Sequence, residues 1–156
     1  METLKIIESQ YLAALEMIKE VIVKCPEALW NAPGDLDPCW RKVYHSLFYA
    51  HLYLQDTEKD FKPWEKHHDP DHGVPFTRQE VLEYLAFAQK QVQMRVPLLN
   101  LEAGSGFEWL PFGKLELQLY NIRHIQQHAG ELYERLGSRE NIELEWVDQT
   151  PDYLRN

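Results

Sequence analysis

KLELQLYNIRHIQQHAGELYERL, residues 114–136, repeats apolar side chains at steps of three and four. Leu115, Leu119, Ile122, Ile125, Ala129, Leu132 and Leu136 fall on one helical stripe, and Gly137 behind them supplies a stop. Within this predicted helix His124 and His128 stand four residues apart. At about 100° per residue they lie roughly 100° and 60° to one side of Ile125. That is the margin of the apolar stripe, where a bundle of helices opens into a cleft.

Three more helices precede this one. Leu4, Ile7, Tyr11, Leu15, Ile18 and Ile22 line one face of a first helix ending near Pro26. Asp37 and Pro38 read as an N-cap and a first-turn proline for a second helix, CWRKVYHSLFYAHLYL. It is apolar over most of its circumference, so it is expected to be largely buried, and it carries His45 and His51. Thr77 and Glu80 form a capping box ahead of Val81, Tyr84, Leu85, Ala88 and Val92, which predicts a third helix from about Arg78 to near Pro97.

The connection between the second and third helices, Asp56 to Phe76, holds Pro63, Pro70, Gly73 and Pro75 and is too broken for a helix. After Gly137, IELEWV alternates apolar and polar residues, which suggests an extended stretch packing Ile142, Leu144 and Trp146 onto the helices. The pattern is all-α: four helices forming a bundle, with a long link between the second and third. A chain of 156 residues, 44% apolar, suits one domain over residues 1–156.

The formal charge of −9 offers no general attraction to nucleic acid or to anionic lipid, so neither partner is expected. METLKIIESQ does not read as a signal peptide, and no apolar run is long enough to span a bilayer. The expectation is a cytoplasmic protein in which Cys25 and Cys39 are free thiols.

Residues four apart on a helix stand one above the other, so His124 and His128 can both face one cation. Two imidazoles do not close a site. A third ligand must come from a facing helix, with His45 the first candidate and His51 the fallback. A second pair at the same spacing, His68 and His72 in HDPDH, lies in the proline-broken connection, where the spacing loses its helical meaning.

WRKVYHSLFYAHLYL (residues 40–54) followed by YNIRHIQQHAGEL (120–132) resembles the DinB/YfiT-like group of metalloenzymes, and FTRQEVLEYL (76–85) extends the likeness. The resemblance implies a four-helix bundle with His45 as the ligand on the second helix and His124 and His128 as the pair on the last. It implies open positions for water on a divalent transition metal. It also implies a small-molecule substrate, with low-molecular-weight thiols such as mycothiol, bacillithiol or glutathione used by transferases and isomerases of the wider group. Proteins of this group commonly pair, so a homodimer is expected.

Three neutral imidazoles leave a divalent ion its full charge and an open position, the arrangement of a catalytic site. Such an ion lowers the pKa of bound water or thiol toward neutrality. Nitrogen ligands suit Zn, Ni, Cu and Fe alike. Glu131, three residues after His128, is a candidate to orient a ligand or act as a general base, against the plainer reading of a solvated glutamate. Tyr120, one turn before His124, is a candidate to line the cleft, against simple packing. The expected activity is that of a metal-dependent transferase or hydrolase; the alternative is a non-catalytic metal- or ligand-binding bundle in which the ion only braces two helices.

Overall fold

Leu4, Ile7, Tyr11, Leu15, Ile18 and Ile22 are all buried along one helix, α1 (Glu2–Lys24), in the computed structural model. The structure describes residues 2–72 and 74–155, and residue 72 by its backbone alone. Gly73 of the predicted connection and the side chain of His72 therefore lie outside the described residues.

Pro26 ends α1 and starts a single turn, α2 (Glu27–Trp30), which the four-helix expectation did not contain. A four-residue turn is too short to show as a periodic pattern. The second long helix is α3 (Cys39–Leu52). Its cap is Pro38 and not Asp37, because the Asp37 carboxylate turns to the Lys42 ammonium at 3.3 Å instead of to the helix amides.

Among the described residues, the connection to the next helix holds two short 3-10 turns, Glu58–Asp60 and Pro70–His72. It still contributes to the core. Trp64 stacks on Tyr84 with ring centroids 4.7 Å apart, and Phe76 stacks on Tyr44 at 4.1 Å. The capping box forms as expected: Glu80 N–H donates to Thr77 Oγ1, and Thr77 N–H donates to Glu80 Oε2, opening α4 (Arg78–Arg95).

The last helix, α5, covers Lys114–Glu140 and so runs through Gly137. Asn141, at φ 55°, takes the left-handed cap and donates its amide to Gly137 O. An interior glycine costs roughly 1 kcal/mol. Arg139 Nη1, shared between Asp35 Oδ1 and Oδ2 at 2.9 and 3.0 Å, ties down the extra turn.

The expected stripe also shifts at the start of α5. Leu115 and Leu119 are exposed, at 40% and 52%, while Leu117, Gln118 and Asn121 are buried. Two hydrogen bonds account for the polar residues inside: Tyr11 O–H donates to Gln118 Oε1 at 2.8 Å, and Asn121 Nδ2 donates to Ala50 O at 3.2 Å. Buried amides are stable where they are paired in this way.

α1 and α3 each pack against both α4 and α5, and touch each other more sparingly. One core cluster draws residues from α1 through α5; Tyr11, Leu15, Ile18 and Ile22 in it are fully buried, each stabilising by about 1.5–3 kcal/mol. Among the described residues there is no strand, only an isolated bridge between Gly104 and Gly113. No described helix is long and apolar enough to cross a membrane.

After α5 the chain is irregular as far as a 3-10 turn at Asp152–Leu154. Ile142 and Leu144 rest on the core, but Trp146 is 71% exposed and Val147 packs in its place. The two-residue alternation fails there because the segment does not hold a strand conformation.

Candidate metal centre

The pairing of α3 with α5 brings one histidine of α3 opposite two of α5. His45 Nε2 lies 3.1 Å from His124 Nε2, and His128 Nε2 lies 3.0 Å from the same atom. One nitrogen of each of the three rings falls within 4.8 Å of the others. A tetrahedral zinc with nitrogen ligands at about 2.0–2.1 Å would set them roughly 3.3 Å apart, so small adjustments would suffice to hold one. The residues present fit a divalent ion.

Their protonation state fits as well. Burial, reinforced by His128 and His45, lowers the His124 pKa to about 4, and burial followed by His128 lowers that of His45. Both rings are therefore neutral at pH 7, with nitrogen lone pairs available to a metal. His124 and His128 are half-buried and His45 is the most open of the three, so the cluster meets solvent on the α3 side.

Glu131 supports the cluster from outside. Its Oε2 lies 3.1 Å from His128 Nδ1, which holds the ring proton on Nδ1 and turns Nε2 to the other histidines. Burial would raise the Glu131 pKa, but hydrogen bonds from Lys42, His128 and Gln127 outweigh it and hold the carboxyl at about 2. Lys42, one turn before His45, donates to the same Oε2 and also meets Asp37. Sequence reasoning missed Lys42; its only signal was a position three residues before a candidate ligand. His124 Nδ1 is buried and has no hydrogen-bond partner among the described residues.

The other histidines stand apart. His51, the fallback ligand, is only 3% exposed, with Nδ1 3.2 Å from the Tyr84 hydroxyl and its ring edge-on to Phe61 and Phe87. It faces α4 and not α5. His68 stacks on Phe76 with centroids 3.8 Å apart, and the His72 side chain lies outside the described residues. His67, which sequence reasoning did not single out, accepts from or donates to the Tyr44 hydroxyl through Nδ1. Cys25 and Cys39 are buried free thiols, with Arg135 Nη1 3.9 Å from Cys39 Sγ, and neither belongs to the histidine cluster.

Three cavities border the cluster; one, of about 370 Å³, meets His124 from the side of Arg123 and Gln127, and the other two meet His45. The first of these two, of about 310 Å³, is lined also by Asp37, Arg41, His67 and Asp71 among others. The second, of about 540 Å³, shares both His45 and His124 and is walled by Tyr49, Leu52, Tyr53, Trp109 and Tyr120. Tyr120 thus lines the cleft beside a cluster histidine.

The molecule is an all-helical protein in which three imidazoles on α3 and α5 could hold a metal ion. Set against known proteins, the chain matches no protein family, no curated protein and no solved structure.

Proposed function

We propose that this chain is a metal-dependent enzyme of the DinB/YfiT-like type. In this reading α1, α3, α4 and α5 are the four helices of that group's bundle, and His45, His124 and His128 hold one divalent transition ion. The observation that carries it is the convergence of three imidazoles on Nε2 contacts of 3.0 and 3.1 Å, from two helices, beside open cavities.

A bound divalent ion would supply a Lewis acid that makes a water or a thiol nucleophilic near neutral pH. The chain's own residues do the rest. Glu131 fixes the His128 tautomer and is a positioning residue; its carboxylate is taken up by His128 Nδ1 and Lys42, on the side away from Nε2, which argues against a general-base role. Tyr120 offers a hydroxyl in the cleft to orient a substrate. The reaction is a transfer, with a small thiol as donor, or a hydrolysis, acting on a small molecule. A cytoplasmic homodimer with no nucleic-acid or membrane partner belongs to the same proposal, in keeping with the net charge of −9.

A purely bracing ion is the competing reading, and the cavities beside the cluster favour catalysis over it. Cobalt(II)-loaded protein separates the two. Azide or a small thiol should change its visible absorption by entering an open position; an unchanged spectrum at saturating ligand would favour the brace.

A further inference from the structure

We propose that the cleft beside His45 and His124 takes an uncharged aromatic group of the substrate, one that carries the hydroxyl or thiol presented to the metal. This deepens the reading above and rests on it for the metal, though not for the ring.

Of the three cavities beside the cluster, the largest is the one whose described lining includes two of its histidines. Its walls are four aromatic rings in sequence. Tyr49 lies 4.8 Å from His45 and edge-on to His124 at 5.4 Å; Tyr53 follows at 5.5 Å from Tyr49, and Tyr120 at 5.8 Å from Tyr53. Trp109 completes the wall. Among the described residues that line this cavity there is no Asp, Glu, Lys or Arg, so a charged group would leave water without a counter-charge. The other two differ: one holds Arg41, already paired with Asp71, and the other is lined by Arg123. A chain of net charge −9 adds a field unfavourable to anions, and a cation would meet the bound metal. An uncharged ring is what remains, and aromatic walls favour a ring with π faces over a saturated one of equal size.

Trp109 is 49% exposed, yet the loop that carries it is firmly held. Phe107 is buried edge-on to Tyr53 at 5.2 Å and to Trp109 at 5.5 Å. Ser105 Oγ bonds to Leu110 O at 2.6 Å. The Lys114 ammonium, itself buried, donates to the carbonyls of Gln55 and Asp56 at 3.1 and 2.8 Å and to that of Ser105. An indole held open by such fixtures is a preorganised wall, which lowers the cost of binding.

The test compares 2-naphthalenemethanol with its fully saturated analogue, by ligand-observed NMR titration, on zinc-loaded and on chelator-stripped protein. The aromatic alcohol should bind about tenfold or more tightly than the saturated one. Trp109→Ala should abolish that preference and Trp109→Phe should retain most of it, with helicity by circular dichroism unchanged in both. Equal affinity for the two alcohols, no binding of either, or a preference untouched by Trp109→Ala would overturn the proposal. If the protein takes up no zinc, the metal reading fails; the ring preference, measured on the same protein, still decides the assignment of the cleft.

Discussion

Acid should destabilise this protein through His51, a histidine outside the metal cluster. Burial, with a smaller effect from Arg95, lowers its pKa from 6.5 to about 4 in the folded chain. The unfolded chain therefore takes up a proton that the folded one refuses, and stability falls as pH drops through the window between 6.5 and 4. Above 6.5 the contribution is intact; below 4 its loss is complete. Linkage gives about 2.5 kcal/mol lost between pH 7 and pH 4.5 from this ring alone. His51→Phe keeps a ring of similar size against Phe61 and Phe87 but removes the titrating site. Tyr84 loses its partner at every pH in that variant, which offsets the stability curve without tilting it. Every other ionisable group is common to both proteins and cancels in the difference. Urea unfolding followed by circular dichroism at pH 7 and pH 4.5 should show the variant losing about 2.5 kcal/mol less than the parent. Parallel losses, within about 0.5 kcal/mol, would refute the assignment of His51 as a buried neutral ring.

Two further perturbations act elsewhere. Glu131→Gln should weaken metal affinity about 10–100-fold while leaving helicity unchanged, because the His128 ring loses the carboxylate that fixes its tautomer; competition with a chromophoric chelator measures it, and an unchanged affinity would remove Glu131 from the site. Gly106→Ala should destabilise by at least about 2–3 kcal/mol, since Gly106 has φ +85° and an added Cβ would lie 1.9 Å from Asp56 O; calorimetry checks it, and a parental melting temperature would show that the loop carrying Trp109 is not held as described.

The long helices were legible because their apolar faces are continuous: every position named for α1 and for α4 is buried, and the Thr77–Glu80 capping box forms. Local signals misled where tertiary contacts outweigh them. Gly137 reads as a stop but is carried through by the Arg139–Asp35 pair, and Leu115 and Leu119 yield the core to Gln118 and Asn121, which have partners that periodicity does not see. His45 and His51 could not be separated by spacing; the structure turns His51 to Tyr84 and His45 to His124. The support from Lys42 and the aromatic wall ending in Trp109 were illegible because they join α3, α5 and a loop distant in sequence.

The central claim, that His45, His124 and His128 form one metal site, is tested most directly by metal content and affinity of protein prepared without a histidine tag. Elemental analysis should find about one transition-metal ion per protomer, and His45→Ala should lower affinity by roughly tenfold or more with the fold retained, since two imidazoles on one helix hold a divalent ion poorly against water. The double change Cys25→Ser, Cys39→Ser should leave metal content as it was. A protein that binds no metal, that keeps parental affinity in His45→Ala, or that loses its ion with the cysteines would contradict the account.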